Sequence, residues 1–206
     1  SLSGYILVNN GLLNIEPERI NLIGSKNIDK SLILESSENI TNKSLLKIRP
    51  RLIKKDLKRK LPIREVSIRK RIFPIQLDIE ILERVPIALA IRNTSEGKEK
   101  GMVDEYGYWI PLILIEKTIK NKKSIIVEGW SNVHRESISK ILRNKDKFEE
   151  PLTRIFLYQD GEIILSTKSL EEILLGSNLN LLEKKIEAFN YLSNNLPKTL
   201  KGKIQS

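Results

Sequence analysis

Apolar residues alternate with polar ones through the middle of the chain and recur every three to four residues on either side of it. Val66, Ile68 and Ile72 lie on one face of a first alternating run. Ile75, Leu77, Ile79 and Ile81 lie on one face of a second, so two strands are expected to meet at a turn near Phe73-Pro74. That pairing sets Ile72 against Ile75, Ile68 against Ile79 and Val66 against Ile81, and on the other face it puts Arg69 opposite Asp78 and Arg71 opposite Gln76. A one-residue slip would turn the apolar set outward, so the register is well determined. Lys70 is the misfit on the buried face, expected near the open end with its stem packed and its amine in water.

Ahead of this hairpin, Arg19 to Gly24 alternates and reads as a short strand, and Asp29 as the N-cap of a helix over 30–35. Residues 36–44 are polar and expected as a loop. Ile53, Leu57 and Leu61, with Leu52 alongside, form one apolar stripe on a helix within 48–61. Pro50 suits its first turn and Pro62 stops it. The resulting order is β-α-α-β-β. Ile87, Leu89 and Ile91 are expected to extend the last strand, and 93–100 to form a polar hinge or hairpin loop.

Beyond it, Met102-Val103, Tyr108-Trp109-Ile110 and 124–128 are strand-like, and 136–143 suggests a short helix. Residues 154–159 and 162–165 flank Asp160-Gly161, a two-residue hairpin signal. Residues 169–175 suggest one or two helical turns. Leu181, Leu182, Ile186, Phe189 and Leu192/Leu196 mark an amphipathic helix from about Asn180 to Asn195. The fold class is therefore α+β: a β-α-α-β-β domain over 18–92, then a second mixed β-sheet domain with a C-terminal helix over 93–206.

Composition narrows the picture. Hydrophobic residues make up 40% of the 206, enough for packed cores. With no cysteine, disulfides and thiolate metal sites are excluded. The net charge is +10, and its location tells more than its size. From Lys43 to Arg71 there are 13 basic residues and two acidic ones, whereas the rest of the chain carries 23 and 24. Lys54, Lys55, Lys58 and Arg59 on the second helix could therefore meet anionic lipid or an acidic partner, against the plain reading of a solvated face. No aromatics interleave these cations to stack bases, which argues against nucleic acid.

The ordered blocks LPIREVSIRK, Pro74, ERVPIA (83–88) and MVDEYG (102–107) resemble the extracytoplasmic part of the bacterial cell-division family FtsQ/DivIB. One residue more than the commonest spacing separates Arg71 from Pro74, and the Ile, Lys and Asn bias suggests a cyanobacterial version. The resemblance implies that 18–92 is a POTRA domain and 93–206 the family's β domain, truncated at its last strand. It implies a single-pass plasma-membrane protein facing the periplasm, with 1–17 membrane-proximal and a membrane helix upstream of Ser1. It further implies a scaffold without enzymatic activity or cofactors. Its partners would be FtsB-like and FtsL-like proteins and other divisome components, through which septal peptidoglycan synthesis is regulated. Two contact regions carry over. One is the helix-to-strand junction, represented by Leu61, Pro62, Ile63, Arg64 and Val66. The other is the strand edge at Lys203, Ile204, Gln205 and Ser206, where a partner could add a strand.

Residue by residue, chemistry finds little support. His134, the only histidine, lacks a recognisable nucleophile. Asp104 and Glu105 precede a turn glycine, Glu83-Arg84 suits an ion pair at a strand end, and Trp109 and Trp130 suit a core or domain interface. Two alternatives remain: a POTRA module of an outer-membrane assembly or secretion system, which predicts tandem copies or a downstream barrel, and a basic nucleic-acid-binding protein.

Overall fold

The computed structural model describes residues 13–40, 43–115, 125–170 and 172–195. The chain forms two compact units, the first ending at Arg84 and the second beginning at Val85.

In the first unit, β1 (Ile20–Ile23), α1 (Lys30–Ser36), α2 (Pro50–Lys60), β2 (Ile63–Arg71) and β3 (Gln76–Glu83) follow in the anticipated order. Their sheet runs β1-β3-β2, with β1 parallel to β3 and β2 antiparallel to it. The hairpin register matches the alternation: Val66 faces Ile81, Ile68 faces Ile79 and Arg69 faces Asp78. Ile33 of α1 and Ile53 and Leu57 of α2 pack with Ile63, Leu77, Ile79 and Ile81 in one core. The opposite face of the sheet is mostly polar, with Ile23 and Leu82 exposed on it; the buried Asp78 carboxylate there accepts from Arg71 at 2.6 Å, Asn21 at 3.2 Å and Gln76 at 3.1 Å.

Three details depart from the sequence reading. Leu52, placed beside the apolar stripe, is exposed, because 100° per residue carries it well round α2 from Ile53 and Leu57. Strand β2 stops at Arg71, so Ile72 does not pair with Ile75; residues 72–75 make a turn containing a cis Phe73-Pro74 bond. Finally, residues 87–91 do not extend β3. After Pro86, β4 (Ala88–Thr94) joins the second unit, so the first unit ends at Arg84 and not near residue 92.

The second unit is a seven-stranded mixed sheet in the order β10-β9-β8-β7-β4-β5-β6. Its other strands are β5 (Gly97–Val103), β6 (Trp109–Pro111), β7 (Ile125–Glu128), β8 (Leu152–Leu157), β9 (Ile163–Thr167) and β10 (Ile173–Leu174). Strand β7 is parallel to both neighbours, β4 and β8. Helices α3 (Arg135–Arg143) and α4 (Leu182–Asn195) close one core: Ile138, Ile141 and Leu142 of the first and Leu182, Ile186 and Phe189 of the second meet Ala90, Val127, Ile155 and Leu165.

Here too the parity differs in places. Ala88 and Ala90 are the buried positions of β4, and Leu89 is exposed. The packed core takes the small residues of this interior strand, and the larger ones lie on its other face. Residues 93–100 form the tip of the β4–β5 hairpin. Residues 169–170 and 172–175 are not helical: Ile173 pairs with Leu165 and Leu174 with Ile164, adding a strand to β9. The Asp160-Gly161 loop is wider than two residues. A turn closed by Gly161 N–H donating to the Tyr158 carbonyl (3.1 Å) is followed by Gly161 at φ 90°, and Tyr158 N–H meets the Glu162 carbonyl. Leu181 lies in the turn before α4 and is exposed; on the helix Leu192 is exposed and Ser193 buried, and Leu196 lies outside the described residues.

Candidate interaction surfaces

Two of the sequence blocks that carry the family resemblance, ERVPIA and MVDEYG, hold structural fasteners. Glu83, at the end of β3, gives its carboxylate to the loop that leads into α1. The backbone N–H groups of Lys26 (2.8 Å), Asn27 (2.9 Å) and Ile28 (3.1 Å) donate to Oε1, and the Asn27 side chain donates to Oε2 at 2.8 Å. Burial pushes this carboxyl up, but the amide donors outweigh it and hold it below the ordinary range for glutamate. These partners lie some 56 residues away in sequence, so only a neighbouring ion pair was visible beforehand.

Asp104 plays the corresponding part in MVDEYG. Its buried carboxylate accepts from the N–H groups of Tyr106 (2.9 Å) and Tyr108 (2.8 Å), which bends the chain from β5 into β6. Gly107 follows at φ 74°, so close to α3 that an added Cβ would lie 2.3 Å from the Arg135 carbonyl oxygen. The Gly107 carbonyl accepts from Trp130 Nε1 at 2.9 Å, and the Glu105 carbonyl from Ser139 Oγ at 3.0 Å. Trp130 also packs on Trp109, with ring centroids 5.1 Å apart and the Arg92 guanidinium 4.4 Å from the Trp109 ring. The two tryptophans therefore belong to one core.

The junction after α2 is less accessible than its sequence suggested. Leu61, Pro62, Ile63 and Val66 are buried, all but Pro62 in the principal core of the unit. Arg64 is partly exposed and Glu65 exposed, so any contact made here falls to these two and to the adjoining end of α2. On that helix Lys55, Lys58 and Arg59 are exposed and Lys54 half-exposed, as the basic stripe required. Asp56 is turned toward the loop before it, accepting from Ser37 Oγ at 2.9 Å and Asn39 Nδ2 at 3.3 Å, with Arg59 at 3.7 Å. The second contact region, Lys203 to Ser206, and the segment 1–12 lie outside the described residues.

His134 sits against Ser131 Oγ and the Gly129 carbonyl, an arrangement that orders the entry to α3. Among the described residues no group of three or more His, Cys, Asp or Glu side chains could hold a metal ion. No helix among them is long and apolar enough to cross a membrane.

Residues 16–84 match the family model of the POTRA domain, FtsQ-type. The match ends at Arg84, where the first compact unit also ends, and covers about a third of the 206 residues. No curated protein matches the chain.

Proposed function

We propose that the protein is a non-enzymatic scaffold of the bacterial divisome, of the FtsQ/DivIB kind, held at the plasma membrane with both units on the extracytoplasmic side. The observation that carries this reading is the FtsQ-type POTRA domain at 16–84. The unit that follows favours it over the secretion alternative: tandem POTRA copies would repeat β-α-α-β-β, whereas a seven-stranded helix-backed sheet comes next. In this reading the FtsB-like and FtsL-like partners dock by strand addition at the edge reached by Lys203, Ile204, Gln205 and Ser206. Other division proteins meet the end of α2 and the start of β2, where Lys58, Arg59 and Arg64 present positive charge to an acidic surface. The test is a fluorescent fusion of the full-length gene product followed in dividing cells of its own species. Concentration at midcell before constriction, with filamentation on depletion, supports the proposal. Uniform envelope fluorescence and normal division on depletion would refute it.

A further inference from the structure

The β2–β3 tip carries the most exposed aromatic side chain of the described residues. Phe73 is 94% exposed and its neighbour Ile72 54%. Folding gains little hydrophobic stabilisation from a phenylalanine left in water. The tip is not isolated. Lys70 Nζ reaches within 3.4 Å of the carbonyl of Leu46, which is itself 57% exposed and is followed by the exposed Lys47 and Arg49. Apolar side chains thus project beside exposed cations at one end of the domain, where the exposed acids Glu16 and Glu18 also stand in the turn before β1. Among the described residues neither Lys47 nor Arg49 has an ion-pair partner. Arg49 and Arg51 stand at the amino end of α2, with no acid in its first turn, where a helix disfavours positive charge. Their placement does not serve the helix.

The register fixes which end this is. Ile20, the first residue of β1, pairs with Leu77 beside the tip. The chain therefore enters the domain at the end that carries Phe73.

We propose that this end docks on an anionic lipid bilayer. Phe73, Ile72 and Leu46 insert among the headgroups, and Lys47, Arg49 and Lys70 lie on the lipid phosphates. The entry of the chain beside Phe73, together with apolar side chains flanked by cations, favours a bilayer over a soluble acidic protein as the occupant. The site differs from the basic stripe of Lys54, Lys55, Lys58 and Arg59 that the sequence singled out, since it lies at the opposite end of α2 from Lys58 and Arg59. It agrees in orientation with a membrane helix preceding the domain, but its test needs no such helix.

The whole 206-residue chain is sedimented with phosphatidylcholine vesicles, with and without phosphatidylglycerol. Binding is expected only with phosphatidylglycerol, and to weaken as salt rises from about 0.1 M to about 0.5 M. Ile72→Ser with Phe73→Ser should cut it by at least about tenfold, from the lost methylenes and ring. Lys47→Gln with Arg49→Gln should cut it by about 25-fold, at roughly fivefold per cation. Lys58→Gln with Arg59→Gln should leave it within about twofold. Circular dichroism should show every variant folded, because all these side chains are exposed. Equal binding by the Ile72/Phe73 variant, equal binding to pure phosphatidylcholine, or no binding with phosphatidylglycerol at low salt would each overturn the proposal.

Discussion

Replacing Glu83 by alanine should detach the β1–α1 loop from the end of β3. The carboxylate accepts from three backbone amides and from the Asn27 side chain. Hydrogen bonds to a charged group are worth about 1.5–3 kcal/mol each when burial leaves the donors no substitute. The amides of Lys26 and Asn27 lie at the surface, where water replaces the lost acceptor, whereas that of Ile28 is partly buried. The expected loss is therefore about 2 kcal/mol, near the top of the range for removing a helix cap. In a unit of this size that lowers the melting temperature by roughly 8–16 °C. Thermal unfolding by far-ultraviolet circular dichroism gives the shift, and hydrogen exchange read at residues 26–28 gives its location. The charge sets the pH dependence. Because the folded state holds this carboxyl below its usual range, its contribution is complete above the unfolded value of about 4.3 and fades as pH falls through the folded one. Glu83→Gln should thus be weaker than the parent at neutral pH and converge with it in acid. An alanine variant with parental melting and unchanged exchange at 26–28 would refute the assignment of Glu83 as the fastener.

Gly107→Ala combines a left-handed backbone with a Cβ driven onto the Arg135 carbonyl, and should cost at least about 3 kcal/mol in chemical denaturation followed by tryptophan fluorescence. Leu61→Ala should cost about 3 kcal/mol as a core truncation, whereas Arg64→Glu should alter stability by less than about 0.5 kcal/mol and act on partner binding alone. Glu150 accepts from the hydroxyls of Ser169, Thr167 and Ser193, and the Ser169 bond leads in holding its carboxyl below the usual range. Glu150→Gln should accordingly destabilise at pH 7, and that effect should fade as pH falls from the unfolded value of about 4.3 through the lower folded one, measured by urea unfolding at neutral and acid pH.

What the sequence disclosed follows from the range of the forces involved. The β2–β3 register was legible because alternation over adjacent strands leaves one pairing that buries Val66, Ile68, Leu77, Ile79 and Ile81. The helices were legible where a stripe met a stop, as with Ile53, Leu57 and Pro62. Strand β4 was misread because both its faces are apolar: Leu89 and Ile91 draw the eye, while the core closes on Ala88 and Ala90. Strand β10 is two residues long and owes its form to the edge of β9, a tertiary effect that residues 169–175 do not encode locally. The Glu83 fastener had no local signal, since its donors lie more than fifty residues away. Of the five junction residues that the family resemblance carried over, Arg64 alone escapes burial, and burial is set by packing against distant strands that the local sequence does not encode.

The docking account meets its most direct test in the affinity of an FtsB-like and FtsL-like pair for this chain, measured by titration calorimetry in two lengths: ending at Ser206, and extended downstream through the strand that Lys203 to Ser206 would begin. The account predicts measurable binding by the extended form, and binding weakened or absent in the shorter one, because the partner's strand needs a continuous backbone edge. Failure of both forms to bind, with each shown to be folded, would contradict it.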